Sequence, residues 1–398
     1  MKNWQWFVLV AVLSTLWLTL RGEPTRLESF IISVALLWFV LLEVMEKSRT
    51  RYDRHGIFLV IRTERGRELI HSLAAHRRLW LGAGNLIALV GIAGTLMMAG
   101  LLLLGFYFLA AKSVDLLQPK PVVPGYTIPF WYGIIGLITV LVVHELAHGV
   151  VATAERIRVK NLGIALLGVI PIGAFVEPDE QQLRRSTWLA QLRVYSAGSF
   201  ANLLVALLAT LALGFYASAI YEQGVQVVEV VEGSPAAQVL ERGMVIKSIG
   251  NRAVSTASDF YEAVATLKPG ERISIQTDRG TYELVTAARK DDPERGFIGI
   301  RISPKLKDQV QRYFGLALPL VIYYSLYWIA LLNEAIGWIN LAPLHLGIAA
   351  TDGHHVLRLI LEKLLPARSA GSVATYVSTL MVLILLVSIV KPGMVPGG

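Results

Sequence analysis

The sequence contains no cysteine, and only 17% of its 398 residues are charged. The missing thiols exclude disulfides, thiolate catalysis and cysteine-ligated metal. A soluble domain usually carries about a quarter charged residues. The low charge, the 54% hydrophobic content and a mean hydropathy of +0.55 therefore predict an integral membrane protein. The net charge of +8 could suit nucleic acid. However, the basic residues cluster beside apolar runs without an aromatic-basic surface, so we expect no nucleic-acid partner.

Apolar runs predict a polytopic α-helical membrane protein in contact with the lipid bilayer. About seven runs are long enough to span it: Trp4–Leu20, Leu27–Val44, Trp80–Ala110, Phe130–Val151, Val194–Tyr216, Tyr313–Leu346 and Val373–Val390. The first run lacks a small-residue cleavage site, so we interpret it as a retained anchor. Basic segments at Glu46–Arg78, Arg156–Arg193 and Arg358–Arg368 predict the cytoplasmic side of a cell membrane.

Two segments do not have the pattern of a spanning helix. Leu162–Val176 alternates aliphatic and turn residues, which predicts a membrane-associated β-hairpin. Residues 217–303 carry charges of both signs and short alternating strands, which predicts an inserted α+β module; alternating the spans places it outside the cytoplasm. Shorter elements predicted from the pattern are strands at Gly56–Ile61, Met244–Ile249, Arg272–Thr277 and Thr281–Thr286, and helices at Arg67–His76 and Asp259–Leu267.

The run Phe130–Val151 contains the sequence His144-Glu145-Leu146-Ala147-His148. Polar groups at membrane depth are costly and usually functional. On a helix, His144 and His148 share one face and can bind one metal, while Glu145 lies to the side and can reach a metal-bound water. This is the arrangement of zinc peptidases. The pattern therefore predicts a Zn²⁺ site with Glu145 as general base. An alternative that the residues leave open is a metal- or proton-coupled membrane transporter.

Several motifs in order resemble the site-2 protease family of intramembrane zinc metalloproteases, prokaryotic type. They are His144-Glu145-Leu146-Ala147-His148, Ile172-Gly173-Ala174-Phe175-Val176, Ala197-Gly198-Ser199-Phe200-Ala201-Asn202, and Asn340-Leu341-Ala342-Pro343 followed by Asp352-Gly353. The inserted module resembles a PDZ domain. The resemblance implies hydrolysis of transmembrane protein substrates, as in regulated intramembrane proteolysis. It also implies that the PDZ-like domain can bind a peptide terminus and so filter substrates.

The resemblance implies a ligand set of His144, His148 and Asp352 for the zinc ion. It implies that Glu145 is the general base and that Asn340 binds substrate backbone or the oxyanion; Asn202 would support the site. The family spacing differs here, because His345 replaces a proline and Asp352 comes about four residues late. His345, His354 or His355 could therefore assist or replace Asp352, although we expect the last two to be an interfacial pair in solvent.

The predicted organisation has four parts. Residues 1–128 hold the N-terminal spans, with a basic cytoplasmic segment at 46–79. Residues 129–216 form the first half of the protease core, with the His-containing helix, the hairpin and the following span. Residues 217–303 form the PDZ-like extracytoplasmic domain. Residues 304–398 form the second half of the core, with the Asn-x-x-Pro and Asp-Gly region and the last span.

Overall fold

The computed structural model describes residues 38, 42, 43, 45, 51–55, 58–63, 66–111, 122, 124–167, 170–289, 292–347 and 349–389. The predicted span Trp4–Leu20 lies outside these residues, as does all of Leu27–Val44 except residues 38, 42 and 43. The chain divides into two compact units. Met1–Leu207 and Trp328–Gly398 form the first, here called the membrane unit, and Leu208–Tyr327 forms the second. The four-part organisation stays a prediction.

Ten α-helices have both bounds within the described residues. They are α1 (Arg67–Ala74), α2 (Arg77–Ala110), α3 (Phe130–Ala154), α4 (Glu180–Arg185), α5 (Trp188–Ile220), α6 (Ala257–Ala265), α7 (Asp308–Phe314), α8 (Ala317–Leu341), α9 (Asp352–Leu361) and α10 (Ala367–Ile389). Five of the described helices, α2, α3, α5, α8 and α10, are long and apolar enough to cross a membrane. The chain is therefore a multi-pass membrane protein. The five coincide with five predicted spans, but the predicted total of about seven is not confirmed.

The predicted hairpin belongs to a sheet of the membrane unit. Strands β1 (Arg51–His55), β2 (Phe58–Thr63), β3 (Val159–Leu167) and β4 (Ile170–Pro178) pair antiparallel in the order β1-β2-β3-β4. The sequence predicted the hairpin β3–β4 but not the pairing of β3 with β2. That pairing runs from Phe58 opposite Leu167 to Thr63 opposite Leu162. Among the described residues β4 pairs only with β3, so its other edge is free.

Helix α3 is held in the membrane unit by packing at its middle and at its C-terminal end. At its middle, Val140 packs with Leu332 of α8 and with Ile128. Near its end, Val150 and Val151 join one buried cluster with residues of α1, β4 and α5. Because interiors are close-packed, these contacts fix both the axial position and the rotation of α3. This packing determines which residues the polar side chains near the C-terminal end of α3 contact.

The second unit contains the eight remaining strands with described bounds. Its strands are β5 (Val225–Val230), β6 (Val245–Ile249), β7 (Arg252–Ala253), β8 (Arg272–Thr277), β9 (Gly280–Val285), β10 (Ala287–Ala288), β11 (Gly296–Phe297) and β12 (Ile300–Ser303). One sheet has the order β12-β5-β6-β8-β9, with β7 paired to β6. Alternating residues of these strands, such as Ile273 and Ile275, bury one face against Phe260 of α6. This α+β arrangement agrees with the prediction for residues 217–303.

Helix α6 begins with a capping box. The Thr256 side chain accepts the Asp259 amide, and Asp259 Oδ2 accepts the amides of Thr256 and Ser255, each at 2.9 Å. These backbone hydrogen bonds stabilise the charged carboxylate, so they lower the pKa of Asp259 below 3.8. A lowered pKa in the folded state stabilises the fold above the unfolded-state pKa, and that contribution is lost as the pH falls through the lowered value.

We predict that Asp259→Asn loosens α6 at neutral pH and that the difference from the natural chain shrinks below about pH 4, where the unfolded carboxyl protonates. Hydrogen exchange of peptides covering residues 256–266, compared between the two proteins at each pH, measures this. Comparison at equal pH cancels the intrinsic exchange rate. A difference that stays constant down to strong acid would contradict the assigned role of the Asp259 charge.

Candidate metal centre

The structure brings together two histidines of α3 and the first residue of α9. His148 Nε2 lies 3.4 Å from Asp352 Oδ1, and His144 Nε2 lies 3.5 Å from Asp352 Oδ2. The two Nε2 atoms are 3.2 Å apart. These three side chains form the only group in the described residues with donor atoms close enough for one metal ion. The three are largely buried, so their donor atoms face one another rather than solvent.

The hydrogen bond of His148 defines which of its nitrogens can bind a metal. Its Nδ1 lies 2.7 Å from the carbonyl oxygen of Val194 in α5. A carbonyl can only accept, so Nδ1 carries the proton and donates. Nε2 is therefore left with a free lone pair, directed at Asp352 and His144. Metal-binding histidines usually have a hydrogen-bonded second nitrogen of this kind, which fixes both the tautomer and the ring orientation.

The second nitrogen of His144 faces Asn202, also in α5. His144 Nδ1 lies 3.2 Å from the Asn202 amide, and Asn202 Oδ1 is buried without another hydrogen-bond partner. The two ends of an Asn amide have the same shape, so hydrogen bonding decides its orientation. With Oδ1 turned to His144, Nδ1–H donates to it, and Nε2 is free for metal. Asn202 therefore orients the His144 ring, as the Val194 carbonyl orients the His148 ring.

Two further residues of α5 shape the centre. Ser199 donates a hydrogen bond from Oγ to Asp352 Oδ2 at 2.8 Å. Gly198 lies against both imidazoles: a Cβ at this position would come within 2.5 Å of His148 Nε2 and 2.7 Å of His144 Nδ1. Any side chain at position 198 would therefore displace the rings. Gly198, Ser199 and Asn202 form one continuous wall behind the donor atoms.

The loop between α8 and α9 brings Asp352 to this wall despite its extra residues. His345 and Ala350 pair as an antiparallel bridge, and Leu346 N donates to Ala349 O at 2.9 Å. The added residues are thus folded out as a tight turn. Thr351 closes the base of the turn: its Oγ1 donates to Ala342 O at 2.6 Å and accepts Leu344 N at 3.0 Å. Thr351 therefore fixes the start of α9, where Asp352 stands.

Gly353 allows α9 to approach the end of α8. A Cβ at residue 353 would overlap the carbonyl group of Leu341. Glycine is therefore required for this close approach, which places Asp352 beside the end of α8. The Asp-Gly pair of the sequence motif thus combines a donor side chain with the one residue type that fits behind it.

The three histidines of the α8–α9 region have partners of their own. His354 is 7% exposed and its Nδ1 lies 2.9 Å from Ser378 Oγ. The His355 ring stacks on Tyr195 at 4.5 Å, and His345 lies beside His354 with a ring separation of 4.9 Å. The expectation that His354 stands in solvent was wrong, because α9 turns it towards α10. None of the three belongs to the described group of metal donors.

Glu145 lies beside the centre and contacts β4. Its Oε2 accepts the backbone N–H of Val176 at 2.7 Å. The Val176 N–H points away from β3, so the outer edge of β4 positions the Glu145 carboxylate.

Asn340 is half-buried in the last turn of α8. Of the five site residues predicted from the sequence, the structure brings His144, His148 and Asp352 together, with Glu145 beside them. The role of Asn340 stays a prediction. Sequence reasoning missed the contacts of Ser199 and Thr351, and only the family order of the motif containing Ser199 pointed there.

The chain belongs to peptidase family M50, whose sequence pattern matches residues 132–388. It is 28% identical over 333 residues to an uncharacterized protein of Methanocaldococcus jannaschii, covering 82% of this chain and 84% of that one. A Clostridium perfringens protein provisionally named a zinc metalloprotease is 26% identical, over 45% of this chain and 59% of its own length. An Arabidopsis thaliana membrane-bound transcription factor site-2 protease homolog is 29% identical, over 38% of this chain and 30% of its own length.

Solved PDZ domains are similar to a smaller part of the chain. The PDZ domain of an SdrC-like protein from Listeria monocytogenes is 27% identical over 22% of this chain and 92% of that domain, with a TM-score of 0.18. A score of that size supports no conclusion about the fold. The resemblance to the site-2 protease family is confirmed by the M50 match. The predicted Zn²⁺ cofactor is confirmed by the family together with the grouping of three donors; the role of each residue stays a prediction.

We predict that Gly198→Ala lowers zinc affinity at least tenfold, because the new methyl group displaces both imidazoles; changes next to metal ligands cost roughly 10- to 100-fold. Metal content of the purified protein and competition with a zinc chelator measure this. Gly214→Ala, on the same helix but with no atom within 4 Å of the added Cβ, is the matched control and should bind normally. Equal zinc affinity in both variants would show that Gly198 does not border the metal position.

Proposed function

We propose that the protein is an intramembrane zinc metalloprotease of the site-2 type that hydrolyses peptide bonds of transmembrane proteins. The observation that carries the proposal is the approach of Asp352 to His144 at 3.5 Å and to His148 at 3.4 Å, with Glu145 beside them. The histidines lie on α3, a helix long and apolar enough to span the bilayer. A hydrolytic centre on such a helix suits substrates that are themselves held in the membrane.

The donor set fits zinc. Two imidazole nitrogens and one carboxylate are the usual ligands of a catalytic zinc, and three protein ligands leave a fourth position for water. When bound, the ion lowers the pKa of water and polarises the scissile carbonyl group. His144 and His148 present Nε2 to the ion because Val194 and Asn202 engage their other nitrogens. Asp352 contributes the third ligand and is held by Ser199.

Glu145 is placed to transfer the proton during hydrolysis. Oε2 is engaged by the Val176 amide, so Oε1 is the oxygen available to accept a proton from the attacking water. The same oxygen can then deliver the proton to the leaving nitrogen. Asn340, near the end of α8, is the proposed donor to the oxyanion or to the substrate backbone, because an amide N–H₂ can stabilise charge that develops on the carbonyl oxygen.

We predict that Glu145→Gln keeps zinc but cleaves a single-span test substrate roughly 10²- to 10⁴-fold more slowly, the usual contribution of a general base. Glutamine keeps an oxygen that can accept the Val176 amide, so the fold around it is preserved. His148→Ala is the comparison variant and should lose both zinc and cleavage. Cleavage by Glu145→Gln at the natural rate would contradict the proton-transfer role. Absence of zinc from the natural protein would favour the transporter alternative.

The free edge of β4 supplies a binding mode for substrate. A transmembrane helix has no accessible carbonyl, so it must unwind before it can be cleaved. An unwound segment can add to a free sheet edge through backbone hydrogen bonds. The Val176 amide points from this edge to Glu145, so a strand added along β4 would lie next to the general base. Because hydrogen bonds alternate along a strand, the Ala174 amide points to the same side.

We predict that Ala174→Pro reduces cleavage at least tenfold while zinc content is unchanged, because proline removes the edge amide of Ala174 without removing one that pairs with β3. Ala174→Val keeps the amide and is the matched control, with near-normal cleavage. The assay is cleavage of the same test substrate by full-length variants. Full activity of the proline variant would exclude pairing of substrate at this point of β4.

We propose that the basic segments lie in the cytoplasm and that the PDZ-like domain is extracytoplasmic. In the second unit β12 pairs only with β5 among the described residues, so its other edge is free to bind an extended peptide. Binding of a peptide terminus there would admit substrates that have already been shortened outside. The proposal rests on the charge asymmetry for the location and on the edge of β12 for the binding mode.

We predict that deletion of residues 217–303 raises cleavage of a full-length substrate relative to a trimmed one, because the filter is removed. Cleavage of the two substrates by the deleted and the natural protein, normalised to zinc content, measures this ratio. The natural protein should prefer the trimmed substrate. An identical ratio in both proteins would make the domain irrelevant to substrate length.

A further inference from the structure

A polar cavity lies in the membrane unit, and none of its lining residues belongs to the metal centre. It has a volume of about 650 Å³ and is formed where α4, α9 and the start of α10 meet. Each of these elements contributes one arginine: Arg184, Arg358 and Arg368. Hydroxyl groups of Ser372, Thr375 and Tyr376 complete the polar lining. The Ser372 and Thr375 hydroxyls donate to the carbonyls of Arg368 and Gly371, so the guanidinium groups are the donors that would bind phosphate.

The charges of this arginine pocket do not cancel. Glu362 is the only carboxylate among the described lining residues, and it lies 3.5 Å from Arg358 Nε, a nitrogen that is buried without a hydrogen bond. Arg184 pairs only loosely with Glu180, at 3.6 Å on an exposed face. No ion pair of Arg368 occurs within the described part of the chain. With Glu180 counted beside Glu362, three arginines face two carboxylates, so the pocket keeps a net positive charge.

The start of α10 adds to this positive field. The helix begins at Ala367 and runs for 23 residues, and Ala367 and Arg368 of its first turn line the pocket. Unpaired amides and the helix dipole at such an end attract anions. The helix end and the arginine side chains are separate sources of positive potential, and they meet in one cavity.

The surroundings place the pocket at the depth of lipid headgroups. Tyr376, 75% exposed, lines it, and further along α10 the exposed residues Leu380 and Leu383 are apolar. Near α9, Lys363 Nζ lies 4.8 Å from the Trp188 ring. Tyrosine, tryptophan and lysine concentrate at the membrane–water interface, beyond the apolar belt. A ligand of this pocket would therefore meet the protein at the surface of the bilayer.

We propose that the arginine pocket binds the phosphate of an anionic phospholipid headgroup such as phosphatidylglycerol. Because the lining has a net positive charge, it favours a headgroup with a net negative charge. The headgroup of phosphatidylcholine should bind less well, because its own cation cancels the phosphate charge. Basic residues gathered at the end of a transmembrane helix, as here at the start of α10, attract anionic headgroups. The pocket joins α4, which follows β4, to α9, which carries Asp352, so a bound lipid would hold together two elements next to the metal centre.

The test compares Arg184→Gln/Arg368→Gln with Arg185→Gln in the full-length protein. Arg185 is exposed, lies on the same helix as Arg184 and does not line the pocket, so it controls for loss of charge. Native mass spectrometry with phosphatidylglycerol and phosphatidylcholine gives the affinities. Each pocket arginine contributes about fivefold near a membrane surface, so the double variant should bind phosphatidylglycerol about 25-fold more weakly. Arg185→Gln should weaken binding by less than the loss of one pocket arginine.

Several outcomes would overturn the proposal. Equal phosphatidylglycerol affinity in the double variant and the control would show that the pocket is not the site. Equal affinity of the natural protein for both lipids would show that the pocket does not distinguish headgroups by their net charge. Inorganic phosphate that displaces phosphatidylglycerol and binds as tightly would make the pocket a site for soluble phosphate. If the double variant unfolds in phosphatidylcholine, Arg368→Gln alone provides the same comparison, with a fivefold loss expected.

Discussion

Two imidazoles on one helix and a carboxylate from a distant loop converge within 3.5 Å in the membrane unit. Such groups are costly to bury unless each is paired. Hydrogen bonds offset that cost. Val194 and Asn202 bond to the outer nitrogens of the two histidines, and Ser199 donates to an oxygen of Asp352. The inner atoms are left facing one another. A divalent cation at their centre is the simplest group that satisfies all of them.

The rest of the membrane unit is arranged so that this convergence is possible. Helix α5 supplies the wall behind the donors, and Gly198 brings it close enough to touch both rings. Gly353 does the same for α9 against α8. On the other side, the sheet edge of β4 holds Glu145 through the Val176 amide. The proposed metal ligation, proton transfer and substrate pairing thus fall on neighbouring elements that pack around α3.

Local patterns predicted the elements that carry their own signal. His144 and His148 were placed on one face because they are four residues apart on a helix, and β8 at Arg272–Thr277 was predicted at its observed bounds because its residues alternate. Helix α6 was predicted to begin at Asp259 but begins at Ala257. The Thr-x-x-Asp capping pattern, visible in the sequence, would have corrected that start.

Long-range features could not be obtained in the same way. Asp352 was identified only through the order of family motifs, since no spacing rule links it to His144. The pairing of β2 with β3 joins segments about a hundred residues apart and depends on the burial of Leu59 with Leu166. Thr351 was missed because a threonine before an Asp-Gly pair has no distinctive pattern. Its role depends on a turn, from His345 to Ala350, that only the folded loop defines.

The most direct test of the central claim is X-ray absorption at the zinc edge of the full-length protein. The account predicts one zinc per chain with two imidazole nitrogens and a carboxylate oxygen in the first shell, and loss of that oxygen signal in Asp352→Ala. A first shell with three imidazoles in the natural protein would assign the third ligand to His345, His354 or His355. That result, or an unchanged shell in Asp352→Ala, would contradict the account.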